Sequence, residues 1–407
     1  MLCSAAVLQL PFYRKTQLPG WLLLGIFWLK IAAGFAFAWF YKLPRYYDNA
    51  DTWRFYKLSL TETVLLKQNP VAFLKDLFSY GYDKAGHLFS GKDSYWNDLK
   101  SNILIKLLAV MNVGTNNSYY TNIVLFNFLF FFGLCGLYTA LKKEYHTNKW
   151  LLILPVFLIP STLFWSSGIH KDGLILSAIG LVIYYCSPLT NKRPLISWIA
   201  GFLGLVLIFA LRNYVAFALL PALACWWLAE KKPRRTPYIF MVGYLIGLVL
   251  FFTLPSLLPA ADFPGFIASK HAEFKALTGG SSIETTALNS SFSSFAAYLP
   301  TAIDMVFLRP HLTEAKGAAS FLAVGEIFIF FVLLILSIVL RKRSQCWCPT
   351  TWFLVFFSIT PLLIAGYTVT FSGAIVRYRS LVLPFILVAI LSIIDYKKLV
   401  FRINYKK

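Results

Sequence analysis

Charge is scarce in this chain, and acid scarcer still. Of 407 residues only 14% are charged, with 17 Asp and Glu against 38 Lys and Arg. A soluble domain carries about 25% charged residues, so an ordinary soluble globule, a coiled coil and a disordered chain are excluded. There is no G-x-G-x-x-G, no Walker loop, no H-E-x-x-H and no internal repeat, which removes the usual nucleotide, zinc-protease and solenoid readings. Six cysteines are present, none in the segments read below as extracytoplasmic, so no disulfide is expected there. Cys346 and Cys348 form a lone C-x-C, short of the four ligands a structural zinc site takes.

What is present is apolar. The chain is 58% hydrophobic, with a mean hydropathy of +0.66. A span needs about 20 mostly apolar residues. That rule predicts an all-α polytopic membrane protein with ten transmembrane helices, near 20–41, 119–141, 150–166, 173–188, 195–212, 214–229, 237–258, 318–340, 350–371 and 379–395. The third and fourth are short, so one of them is expected to be broken or re-entrant. The apolar stretch Met1–Leu10 lacks a basic leader, so the first span is expected to be an uncleaved anchor.

Basic residues in short loops mark the cytoplasmic side. With both termini inside, the inner segments hold 19 basic residues, opposed only by Glu144, Glu230 and Asp395. Most of the +21 net charge is thus topological, and a nucleic-acid partner is not expected; the partner at large is the lipid bilayer. One integral-membrane domain, 1–407, is expected. It carries two long outer loops, 42–118 and 259–317. Residues 50–66 and 97–111 place aromatics and leucines at helical spacing, as helices lying along a membrane surface do. The Ser/Thr/Gly-rich stretch from Thr278 to Ser294 is expected to be the most mobile part.

The candidate site residues stand at outer span ends. YYDNADTWRFY holds Asp48 and Asp51, and FWSSGIHKDG holds His170, Lys171 and Asp172. LRNY holds Arg212, DMVFLRPH holds Asp304, Arg309 and His311, and SGAIVRYR holds Arg377 and Arg379. Each has a plain alternative: Asp51 as a helix N-cap, Lys171 paired with Asp172, Arg377 and Arg379 as headgroup anchors. Together they run against the topological bias, and charge at hydrocarbon depth tends to mark a site. Arg presents a planar fork suited to phosphate. A carboxylate acts as base on a hydroxyl, and cations stabilise a departing phosphate. Asp48 and Asp51 are also compatible with one divalent cation, although two carboxylates are a thin ligand set.

These stretches resemble the GT-C superfamily of integral-membrane glycosyltransferases. Asp51, followed by Trp53, Phe55 and Tyr56, is similar to the acidic residue early in that family's first outer loop. FWSSGIHKDGL, LRNYVAF, FLRPH and VRYR are similar to stretches of membrane sugar transferases and polymerases of bacterial polysaccharide clusters. The chain departs from protein mannosyltransferases, which carry adjacent Asp-Glu; here the acids are separated as Asp48-Asn49-Ala50-Asp51. The resemblance implies a polyprenyl-phosphate or diphosphate sugar donor and a glycan, lipid or protein acceptor. It implies a bacterial plasma membrane with the active face periplasmic or extracellular. Asp51 would be the general base, with Asp48 as second choice. Lys171, Arg212, Arg309, Arg377 and Arg379 would bind donor phosphate, beside His170, Asp172 and His311. Trp53, Tyr56 and Trp165 would line the sugar or prenyl path. The alternatives are a lipid-linked polysaccharide polymerase and a transporter or flippase for a lipid-linked sugar. Lys30 and Glu326, inside spans and able to pair, would serve the transporter.

Overall fold

The computed structural model describes residues 1–48, 50–79, 95–145, 149–189, 194–277, 279–341 and 347–395. Asn49, the inner basic residues Lys192, Arg193, Lys342, Arg343 and those from Lys397 on, and Cys346 and Thr278, lie outside them. Every regular element among the described residues is a helix, apart from two isolated bridges. Six helices are long and apolar enough to cross a membrane, and eight if each of two bent pairs is one span.

The bends fall where proline falls. Trp150–Phe157 and Pro160–Ser167 meet at 49°, and Ser372–Ser380 and Leu383–Ser392 at 59°. Pro160 and Pro384 each stand at the start of a second half. Their missing N–H and ring bulk prevent the helix from running through. Among the expected spans, 173–188 is the 16-residue helix Lys171–Cys186. The pair 195–212 and 214–229 forms one helical run, Leu195–Lys231, interrupted only at Arg212, whose φ of −151° and ψ of 84° are non-helical.

The chain forms two compact units. The first comprises Met1–Leu141 and Thr162–Ala216; the second comprises Lys142–Ser161 and Phe217–Lys407. In the first unit the helix Tyr119–Glu144 meets Lys171–Cys186 at glycine. A Cβ on Gly133 would lie 2.2 Å from Ser177 backbone, and one on Gly180 would lie 2.2 Å from the Gly133 carbonyl oxygen. Small residues let apolar helices approach this closely and gain dispersion contacts that lipid cannot match.

The first outer loop holds the helices Asp51–Gln68, Pro70–Ser79 and Tyr95–Thr115. The first and third are antiparallel and joined by a buried polar ladder. Asn112 Nδ2 donates to Ser59 Oγ and Thr63 Oγ1, both at 3.0 Å, and Asn122 Nδ2 donates to Asn112 Oδ1 at 2.6 Å. Lys106 ties all three helices, donating to Glu62 Oε2 at 2.5 Å and Asp76 Oδ2 at 2.8 Å. Each partner satisfies a group whose burial unpaired would cost about 1–3 kcal/mol.

In the second unit the helices Phe263–Ala276 and Phe292–Ile303 flank the Ser/Thr-rich stretch. Two backbone hydrogen bonds join part of that stretch to the segment before the last bent pair. Ile283 N donates to Thr370 O at 2.8 Å, and Ser372 N donates to Ser281 O at 3.0 Å. The buried His271 ring nitrogens lie 2.8 Å and 3.0 Å from the carbonyl oxygens of Tyr367 and Thr286.

Candidate functional site

The motif FWSSGIHKDG closes one half-helix and opens another. His170 stands immediately before Lys171–Cys186 in extended backbone, which turns its ring back toward the first turn of Asp51–Gln68. Nε2 of His170 lies 3.6 Å from Asp51 Oδ2, and Nδ1 lies 3.1 Å from Asp172 Oδ2. Asp172 also pairs with Arg212 through Oδ1 and Nη2. Arg212 Nη1 donates to Tyr214 Oη at 3.1 Å. The result is a row in which carboxylate, imidazole, carboxylate and guanidinium alternate, brought together from three separate stretches of the first unit.

Burial grades along this row. The side chains of His170 and Asp172 are 3% and 4% exposed, whereas that of Asp51 is 51% exposed. The row therefore has a closed end, where two charges neutralise each other away from water, and an open end at Asp51. Ala50 is the N-cap of Asp51–Gln68 and Asp51 is its first helical residue. Asp51 thus makes no N-cap, and its carboxylate is favoured there by the helix dipole. Lys171 reaches toward the first-loop helices. Its Nζ donates to Ser101 Oγ at 3.2 Å and lies 5.0 Å from the Phe55 ring centre, so it is steered toward the helix that carries Asp51. Asp48 is exposed, at the end of the short helix Pro44–Tyr47.

Below this row, Lys30 is 1% exposed in the helix Gly20–Phe40 and donates to Ser166 Oγ at 3.0 Å and Ser167 Oγ at 2.9 Å. Glu326, its expected partner, accepts from Ser161 N at 3.0 Å and Ser161 Oγ at 2.8 Å in the second unit. The aromatics expected to line a ligand path are in use. Trp53 stacks on Tyr119 with ring centres 4.0 Å apart, Tyr56 Oη donates to Asn117 O at 2.5 Å, and Trp165 packs among Phe37, Tyr41 and Phe164.

In the second unit the motif DMVFLRPH folds on itself. Arg309 donates to Asp304 Oδ2 at 2.7 Å and to Glu314 Oε1 at 2.5 Å. His311 Nε2 lies 3.0 Å from Asp304 Oδ1, and its backbone N donates to Glu314 Oε2 at 3.1 Å. Burial raises the Asp304 carboxyl, but the Arg309 and His311 hydrogen bonds outweigh it and hold the group below the usual carboxylate range. Arg379 is 4% exposed, and its Nη1 donates to Val306 O at 3.2 Å and Arg309 O at 2.9 Å. Arg377 is half-buried, on the same short helix.

Glu314 was missed in the sequence, although its spacing of three from His311 is that of a capping box, which the structure forms. Ser101 and Tyr214, the partners of Lys171 and Arg212, carried no signal that spacing could detect. Among the described residues no group of three or more His, Cys, Asp or Glu side chains is placed to hold a metal ion. No protein-family model, no curated protein and no solved structure matches this chain.

Proposed function

We propose that the protein is a GT-C-type membrane glycosyltransferase that moves a sugar from a polyprenyl-phosphate or diphosphate carrier to an acceptor hydroxyl. The reading includes ten spans with both ends cytoplasmic, a bacterial plasma membrane and an outer active face. The observation that supports it best is the row Asp51–His170–Asp172–Arg212, most open at Asp51. Asp51 takes the proton of the acceptor hydroxyl as its oxygen bonds to the sugar's anomeric carbon. The bond from that carbon to the carrier phosphate breaks, and phosphate leaves with the electron pair. Asp172, the other carboxylate of the row, is buried against Arg212, which favours a single inverting displacement. His170 fixes the Asp51 carboxylate, and the Asp172–Arg212 pair fixes His170. Lys171 offers positive charge to the departing phosphate. Exposed Leu58, Val64, Val71 and Leu74 on the loop helices suit a bilayer surface.

The experiment is Asp51→Asn in proteoliposomes supplied with a radiolabelled polyprenyl-phosphate sugar. Loss of a general base costs about 10²–10⁴ in rate, and the variant should stay folded because Asp51 is half exposed. Near-normal transfer would remove Asp51 from the reaction. A second reading, a transporter for the lipid-linked sugar, draws on the two bent helix pairs and on Glu326, since charges at broken helices serve coupling sites.

A further inference from the structure

His271 is 1% exposed, on the helix Phe263–Ala276 in the second unit. Its Nδ1 lies 2.8 Å from the Tyr367 carbonyl oxygen and its Nε2 lies 3.0 Å from the Thr286 carbonyl oxygen. A carbonyl oxygen only accepts. A neutral imidazole has one N–H and one lone pair, and only the imidazolium donates from both nitrogens. Tyr367 stands in the last turn of Pro349–Thr368, where carbonyls lack an intrahelical donor and the helix dipole favours a cation. The neutral ring also has a partner in place: Thr285 Oγ1 stands 3.4 Å from Nε2, and its hydroxyl can donate to a lone pair there. The two charge states of one ring thus suit two different neighbours in the same stretch of chain. That stretch, 279–288, is a strap. Ile283 and Ser281 tie it through the backbone to Thr370 and Ser372, and Leu288 is buried beside Ile267, Phe295 and Tyr298. None of those ties titrates; the His271 contacts between them do. Around the imidazole, the Tyr298 ring meets it edge-on at 5.1 Å, and Lys270 and Glu273 on its own helix pair with each other at 2.7 Å. Lys275 on that helix and Glu284 on the strap are exposed, and Arg309, beyond Tyr298, is held by Asp304 and Glu314. Ordinary phenols, amines and carboxylates titrate outside the range of about pH 5–8 in which imidazole changes charge.

We infer that His271 is a pH-sensitive latch on the second long loop. Charged, it clamps the strap at Thr286 to the end of Pro349–Thr368; neutral, it gives up one carbonyl and turns to the Thr285 hydroxyl. Two carbonyl acceptors favour the charged ring, so the clamp is complete at low pH and weakens as pH rises through the titration of the imidazole. The helix Ser372–Ser380, which carries Arg377 and Arg379, begins at the strap's backbone ties, so the strap's hold on that helix follows pH. This goes beyond the transferase reading, because it uses no residue of the Asp51 row and holds equally for a transporter.

The test follows amide exchange by mass spectrometry on the full chain in dodecyl maltoside, corrected for the intrinsic pH dependence of exchange. Protection of peptides spanning 279–288 and 369–374 should fall about tenfold between about pH 5 and about pH 8, the loss expected when a hydrogen bond from a charged donor is given up. His271→Gln keeps one donor and cannot titrate, so its protection should be the same at both pH values. Thr285→Val removes the hydroxyl that receives the neutral ring and leaves the two carbonyls in place; the parent's fall should then move to higher pH. This second variant keeps the test alive if His271→Gln does not fold. His311→Gln removes the other imidazole described in this loop and should leave the fall where it is. Equal protection of the parent at the two pH values would overturn the inference. So would a parent-like fall in His271→Gln, an unmoved fall in Thr285→Val, or loss of the fall in His311→Gln.

Discussion

Arg212→Met tests whether the closed end of the row is held by charge. The Arg212 and Asp172 side chains are 10% and 4% exposed, so neither can recover its hydration if the other is removed. Deleting one member of a buried pair costs about 3–5 kcal/mol, because the other charge is left uncompensated. The expected loss is at the lower end of that range, about 3 kcal/mol. That is roughly a hundredfold in the folded-to-unfolded ratio. Asp172→Asn in the Arg212→Met background removes the orphaned charge and should restore most of the loss. The assay is a double-mutant cycle on reversible unfolding in detergent. A coupling of about 2 kcal/mol or more stands well clear of the ~0.6 kcal/mol average for hydrogen bonds between membrane helices. A coupling at or below that average would refute the argument: the two groups would then be no more than an ordinary polar contact.

Two further outcomes follow from local geometry. Gly133→Val places its side chain against Ser177 backbone and should lower stability by about 1–3 kcal/mol through overpacking. Gly247→Ala, with nothing within 4 Å of the new Cβ, should be neutral or gain about 0.5–1 kcal/mol from helix propensity; thermal unfolding of the two variants checks both. Asp304 titrates below its ordinary value because Arg309 and His311 hold its charged form against burial. A carboxylate lowered in this way stabilises the fold above its unfolded pKa and loses that contribution as pH falls through the folded one. Amide protection over residues 304–314, corrected for the intrinsic pH dependence of exchange, should therefore hold from neutral pH downward and fall only below about pH 4; a fall already near pH 6 would contradict it.

How far the site was legible in the sequence differs from residue to residue. Asp51 and the His170-Lys171-Asp172 run were legible as charged groups set beside apolar spans. Their division of labour was not. Adjacent residues such as Lys171 and Asp172 look like a pair on paper, yet neighbours on a helix point in different directions; Lys171 reaches Ser101 and Asp172 reaches Arg212. Arg309 read as a phosphate ligand, whereas its guanidinium is occupied by Asp304 and Glu314. Spacing within one short loop allows that ring without requiring it.

From its residues alone the chain fixes its class: helices long and apolar enough to cross a bilayer, with one of the short stretches near 150–188 broken, as it is at Pro160, whereas the bend before Pro384 appeared only in the structure. Hydrophobicity and proline geometry are properties of a local stretch, and any environment the stretch meets must accept them. Tertiary structure alone decided that His170 lies between Asp51 and Asp172, that Arg212 neutralises Asp172, and that Arg379 turns to the Val306 and Arg309 carbonyls. Those choices depend on which distant segments pack together and on which charges water can still reach.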